Sequence, residues 1–70
     1  SRAMLLLPET QEQRLSRYAA AAEREVRMRR SVYPRWVDAG KMKREKADAE
    51  IAVMEEIAAY FHDAARAASS

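Results

Sequence analysis

The chain has 70 residues, of which 49% are hydrophobic and 34% charged, and it contains no cysteine and one histidine. This length allows one small domain at most, whose stability is marginal because so little surface is buried on folding. Disulfides and thiolate metal sites are excluded, and a histidine-rich metal cage is excluded too. We therefore predict no metal and no cofactor, and we expect a partner chain to supply the missing stability.

The formal net charge of +2 hides an uneven distribution along the chain. Residues 1–23 are neutral overall, whereas residues 24–46 carry nine cations against three carboxylates, a net charge of +6. Residues 47–70 have a net charge of −4. A basic block of this kind attracts phosphate groups or an acidic protein surface.

Helix-forming residue types fill the chain, and glycine and proline together occur only three times. No stretch alternates β-branched or aromatic residues with polar ones, as a half-buried strand does. No segment approaches the roughly 18 apolar residues that a membrane span requires. We therefore predict an all-α protein that has no membrane partner and is located in the cytoplasm, which agrees with the absence of cysteine.

Residues 1–9 are predicted to form an N-terminal arm, in which residues 1–3 are interpreted as a cloning remnant. Thr10 followed by Gln13 fits a capping box, in which each side chain accepts a hydrogen bond from the other residue's backbone. A helical hairpin domain is accordingly predicted over residues 10–67. Its first helix is expected to end between Ser31 and Tyr33, because a proline disfavours helical geometry in the residue before it.

The segment from Pro34 to Gly40 is predicted to be the turn, with Pro34 opening one short helical turn and Gly40 closing it in a left-handed conformation. Tyr33, Arg35 and Trp36 fall in or beside this segment. One interpretation is a hydrophobic plug that closes the end of the hairpin. The alternative is a partner-binding site, since these three residue types dominate binding hot spots.

The second helix is predicted from about Met42 to about Ala67, and residues 68–70 are expected to fray. Two long helices joined by a short connection should lie antiparallel. Both helices carry apolar stripes that are wider than one seam can cover, so we expect two hairpins to dimerise into a four-helix bundle. The residues assigned to the shared core and dimer contact are Leu15, Tyr18, Ala22, Val26, Ile51, Met54, Ile57 and Phe61.

No catalytic group is predicted. His62 and Asp63 are adjacent in sequence, and adjacent helical residues do not face each other. The Glu-x-x-His motif of di-metal helical bundles is absent. The sequence also lacks a recognisable nucleophile with a base and an orienting group, so we expect a protein that is not an enzyme.

The second half of the chain resembles a group of small, uncharacterised helical proteins encoded by phages and prophages of proteobacteria. The resemblance begins at Glu25, and its most specific part is the stretch Val32-Tyr33-Pro34-Arg35-Trp36-Val37. It covers a little under half the chain and also includes residues 27–30, Gly40-Lys41-Met42, residues 46–48 and residues 50–54. Those relatives often have Thr or Ser after the methionine, where this chain has Lys43. The resemblance implies a phage origin and a bacterial host cytoplasm, and it implies no activity.

Two functions are compatible with these features. The first is a helical interaction or regulatory protein that binds a host or phage protein through Tyr33, Arg35 and Trp36. The second is a nucleic-acid accessory protein that grips phosphates without reading bases. The cations assigned to that second function are Arg27, Arg29, Arg30, Arg35, Lys41, Lys43 and Arg44.

Overall fold

The computed structural model describes residues 7–70, which form two α-helices packed side by side as an antiparallel hairpin. Helix α1 spans Gln11–Asp38 and helix α2 spans Arg44–Ser69. No strand occurs in this part of the chain. The all-α hairpin predicted from the sequence is confirmed, whereas the cloning remnant and most of the predicted arm lie outside the described residues.

Helix α1 begins with the capping box predicted from the sequence. The Thr10 hydroxyl accepts a hydrogen bond from the Gln13 amide at 3.0 Å, and the Gln13 side chain accepts one from the Thr10 amide at 2.9 Å. Two amide groups that would lack helical partners are thereby satisfied. The beginning of the hairpin therefore follows from local sequence.

The predicted end of the first helix is wrong, because α1 continues through Pro34 to Asp38. Proline removes only its own backbone donor, and helical hydrogen bonding resumes beyond it, with the Ala39 amide bonded to the Arg35 carbonyl at 3.0 Å. The helix closes with bonds from Gly40 to the Val37 carbonyl and from Lys41 to the Trp36 carbonyl. This pattern is a Schellman motif.

Gly40 supplies the left-handed residue that this motif requires, with a φ of 75°. Its left-handed geometry is confirmed, but it closes the long first helix instead of a separate short turn. The connection between the helices is thus residues 39–43. The aromatic cluster of the turn prediction consequently lies on α1 itself.

Both ends of α2 also differ from the prediction. Its N-cap is Lys43, whose side chain makes no capping hydrogen bond, and the helix begins at Arg44. At the other end, Ala68 and Ser69, which were expected to fray, belong to the helix. The Ser69 hydroxyl donates to the Arg66 carbonyl at 2.9 Å and satisfies one acceptor in the last turn.

The two helices pack through small side chains. The buried residues are Ala19, Ala22, Val26, Ala47, Ala58 and Ala65. No large side chain is fully buried among the described residues. Alanine lets two helices approach closely but removes little apolar surface from water, so this seam gives a thin core.

Larger apolar residues flank the alanine seam and are only partly covered. Leu15, Ile51, Met54 and Phe61 have intermediate exposure. Tyr18 and Ile57, also predicted for the shared core and dimer contact, are 39% and 38% exposed. Of that predicted set, the hairpin itself therefore buries only Ala22 and Val26.

Two pairs of polar side chains cross from one helix to the other on the same side of the hairpin. Arg30 bonds to Glu55, and His62 Nε2 lies 2.5 Å from Glu23 Oε2. On each helix the two residues lie on the same flank of the row of buried residues, as the rotation of about 100° per helical residue requires. We call this side the polar face.

The opposite flanks of both helices share the other side of the hairpin, because the polar face fixes how the helices are rotated. That side carries a second apolar stripe on α2 at spacings of three and four, whereas on α1 the Glu25–Arg29 ion pair interrupts the apolar residues, and we call it the apolar face. Its large residues are Tyr18, Met28 and Val32 on α1 and Val53, Ile57 and Tyr60 on α2. The Tyr18 ring meets the Phe61 ring edge-on, with centroids 5.4 Å apart, across the seam.

The uncapped start of α2 gives a stability prediction. Lys43→Ser should stabilise the hairpin by about 1 kcal/mol, because a serine hydroxyl at the N-cap can accept a backbone amide hydrogen bond that lysine cannot. For a domain of this size the melting temperature should rise by roughly 4–8 °C. Circular dichroism melting measures the effect, and Lys41→Ser, in the connection, is the matched control. Equal melting temperatures for the two variants would contradict the assignment of Lys43 as the N-cap.

Candidate functional site

Tyr33 and Trp36 stack near the end of α1, next to the connection. Their ring centroids are 5.5 Å apart with an interplanar angle of 28°, and the Arg29 guanidinium lies 5.8 Å from the Tyr33 ring on the preceding turn. Tyr33 is half-buried, whereas Trp36 remains 44% exposed. Of the two aromatic residues predicted to contact a partner, only Trp36 is exposed.

Arg29 is a structural cation, and the prediction that it binds nucleic acid does not fit its surroundings. Its side chain is 17% exposed, and its guanidinium donates to Glu25 at 3.0 Å and to the Glu50 backbone carbonyl at 2.6 Å. The second bond ties α1 to α2. With Tyr33 over its plane as well, this guanidinium has little capacity left for an outside ligand.

Arg30 is likewise engaged, through its ion pair with Glu55 across the polar face. The remaining predicted cations differ from these two, because in residues 7–70 no salt bridge reaches them. They are Arg27, Arg35, Lys41, Lys43 and Arg44, and all are exposed. Four of them fall within the ten residues from position 35 to position 44, around the connection.

We call this set the turn-end site: Arg35, Trp36, Lys41, Lys43 and Arg44. Arg27 lies more than two helical turns before Trp36 and is not part of it. The sequence prediction of a basic, aromatic tip is therefore reduced to five residues. Four cations without a local carboxylate partner produce a positive potential that favours anionic groups.

The polar face contains a shallow, open groove beside the two cross-helix pairs. Glu23, Arg27, Arg30, Glu55 and His62 line it, together with three apolar residues, Val26, Ala58 and Ala59. His62 contacts Glu23, and Asp63 contacts Arg66, so the adjacent His62 and Asp63 do not act on each other. The lining includes no hydroxyl or thiol that the histidine could activate. The groove is best described as the outer side of the helix–helix contact.

A bidentate ion pair secures the residues just before α1. Arg17 donates to both carboxylate oxygens of Glu9, at 2.9 and 3.0 Å. These hydrogen bonds lower the pKa of Glu9 and raise the pKa of Arg17. Because the pKa of the carboxyl is lowered on folding, its contribution is present at neutral pH and is lost as the pH falls through that lowered pKa.

Residues 7–70 show neither a metal-binding cluster nor a membrane-spanning helix. No group of three or more His, Asp or Glu side chains there is placed to hold a metal ion. Neither helix is both long and apolar enough to cross a membrane.

Sequence reasoning missed the apolar face and the cross-helix pairs. The spacing of Val53, Ile57, Tyr60 and Ala64 by four, three and four residues is a readable signal for a second stripe on α2. The pairing of Glu23 with His62 depends on which residues the antiparallel register brings level, and no local pattern predicts it. A spacing of four residues favours two ion pairs on α1, Glu23 with Arg27 and Glu25 with Arg29. The second is present, whereas Glu23 contacts His62 instead of Arg27.

Comparisons with family models, with curated proteins and with solved structures give no match to this chain.

The distinction between structural and free cations can be measured. Arg29→Ala should destabilise the hairpin by about 1.5–3 kcal/mol, because it removes the charged hydrogen bonds to Glu25 and to the Glu50 carbonyl, the second of which links the two helices. Arg27→Ala, at an exposed position with no ion pair among the described residues, should change stability by less than about 0.5 kcal/mol. Urea unfolding followed by circular dichroism compares the two. Similar losses for both variants would show that Arg29 has no special structural role.

Proposed function

We propose that this chain is a non-enzymatic helical interaction protein, of phage or prophage origin, that binds an acidic surface of a host or phage protein in the bacterial cytoplasm. The observation that carries the proposal is the turn-end site. There the single tryptophan of the chain lies exposed at 44% among four cations that form no salt bridge with the described residues and outnumber the two carboxylates of the same segment, Asp38 and Glu45.

The chemistry of the turn-end site suits a protein partner. Trp36 offers a large apolar ring that loses exposed surface when a partner covers it, and tryptophan and arginine are the residue types most enriched in hot spots. Tyr33, three residues earlier on α1, stacks on this ring with 5.5 Å between the ring centroids. The surrounding lysines and arginines favour a carboxylate-rich surface and speed its approach.

Self-association is the second part of the proposal. In a single hairpin most of the large residues of the apolar face stay exposed, and the alanine seam buries little apolar surface. We propose that two hairpins form a four-helix bundle, the simplest closed arrangement for such a chain. This step supplies the core that alanines alone do not provide.

Binding to a nucleic-acid backbone is the alternative function. The concentration of Arg35, Lys41, Lys43 and Arg44 around the connection favours it. Such contacts neutralise phosphates without reading bases. The exposed tryptophan is compatible with both candidates, since it can stack on an unpaired base as well as fill a protein pocket.

A photo-crosslinking experiment tests the protein-binding function. A benzophenone amino acid at position 36 should yield an adduct with one acidic protein in proteobacterial cells that express the full chain. The reason is that Trp36 would be covered by the partner. Mass spectrometry identifies the adduct. The matched control carries the benzophenone at exposed Ser16, about five helical turns away along α1.

The adduct should disappear when Arg35→Glu and Lys41→Glu are introduced together, because the charge of the turn-end site is then reversed. If position 36 gives no protein adduct, or the same adducts as position 16, the protein-binding proposal fails.

Gel-shift titrations with 20-nucleotide DNA and RNA probes, single- and double-stranded, test the alternative. If the four cations each neutralise one phosphate of a duplex, the affinity should fall roughly 100-fold between 50 and 200 mM salt. Lys43→Ser should reduce this salt dependence by about one phosphate, while Lys46→Ser, whose lysine pairs with Glu50, is the control. Absence of binding at 50 mM salt removes this candidate.

A further inference from the structure

We propose that a second copy of this chain covers the apolar face, and that the two hairpins lie antiparallel, so that each turn end meets the open end of its partner. This inference rests on the self-association part of the proposed function and specifies its surface and its orientation. Three observations carry it: the position of exposed apolar residues, the dimensions of the face, and the distribution of charge.

Exposed apolar residues are concentrated on one side of a single layer of helices. The shortest dimension of the molecule is 11 Å, about one helix diameter. On the apolar face Tyr60 is 69% exposed, Val53 44% and Met28 42%. No exposed large hydrophobic residue of the two helices lies on the polar face, whereas on the apolar face such residues surround the Glu25–Arg29 ion pair. An apolar partner therefore has one side on which to dock.

The dimensions of this face match what a stable dimer needs. The two helices run side by side for about 39 Å, the length of the 26-residue α2, and together they are about 20 Å wide. One face thus offers roughly 800 Å² as a flat footprint, which equals the contribution of each partner to an interface of standard size. A second hairpin of the same shape covers it completely.

Charge selects both the partner and its orientation. The turn half of the hairpin, residues 27–48, contains eight cations and three carboxylates, a net charge of +5. The open half, residues 7–26 and 49–70, contains four cations and eight carboxylates, a net charge of −4. Two antiparallel copies place opposite charges together at both ends, whereas two parallel copies place like charges together.

The position of Ile57 locates the two-fold axis. Arg30 pairs with Glu55 and Glu23 pairs with His62, so Ile57 lies level with the stretch of α1 between residues 23 and 30. That stretch contains the midpoint of α1, which spans Gln11–Asp38. An antiparallel two-fold axis through the middle of the face therefore brings Ile57 close to its own copy.

Light scattering during size-exclusion chromatography tests the association and its surface. At about 50 µM the full chain should have a mass near 16 kDa, twice its 8.0 kDa, because interfaces of this size have micromolar or tighter affinity. Ile57→Glu should raise the dimer dissociation constant more than about tenfold, since it places a charge at the centre of the interface. Tyr60→Ala provides a second variant at a more exposed position. Ala52→Glu, an exposed alanine on the other side of α2, is the matched control and should leave the dimer intact.

Distance measurement tests the orientation. Because the chain has no cysteine, Lys41→Cys provides a single site for a spin label. The two labels should lie roughly 45 Å apart in the antiparallel dimer, since Lys41 is about 15 residues of helix from the level of Ile57. A separation below about 25 Å overturns the antiparallel arrangement and leaves self-association standing.

A monomer at 50 µM, or a dimer that Ile57→Glu and Tyr60→Ala do not weaken, overturns the assignment of the apolar face. The crosslinking test of the turn-end site stays separate, because an adduct of the chain with itself has twice its 8.0 kDa mass and is distinguished from an adduct with another protein.

Discussion

Close contact between alanines is the interaction on which the hairpin depends. Ala19, Ala22, Ala47, Ala58 and Ala65 form most of the buried seam. Small side chains bring the two helix axes near each other, and they push the larger apolar residues to the flanks of the seam. The hairpin consequently has a close helix–helix contact but buries little apolar surface, and a covering partner would bury more.

Polar contacts cross the seam on both sides. The polar face has two cross-helix pairs, Arg30–Glu55 and His62–Glu23. Exposed pairs of this kind contribute little stability, but they fix how the helices are rotated about their axes. On the other side the Arg29 guanidinium donates to the Glu50 carbonyl, and the exposed large apolar residues lie around it. The two proposed surfaces are thus consequences of one packing arrangement.

Local sequence predicted the features that depend on neighbouring residues. The capping box at Thr10 and the left-handed Gly40 were both identified from short-range patterns and are confirmed. The end of α1 was predicted wrongly, because the rule for residues before proline is a preference that continued stacking and the Schellman closure override. The sequence predicted which residue types form the turn-end site. It did not predict that Arg29 and Arg30 are excluded from the site, because their bonds to α2 follow from the antiparallel register.

The reversal of the chain combines a left-handed residue, Gly40, with an extended one, Lys43. Gly40 has a φ of 75°, yet the space where a Cβ would stand is empty to 4 Å. Glycine is thus required there for its conformation and not for room. A residue that prefers right-handed geometry at this point would favour continuing α1 straight into α2 as one long rod. Two such rods could exchange their halves and rebuild the same alanine seam between chains, so this single position separates a folded-back monomer unit from a domain-swapped pair.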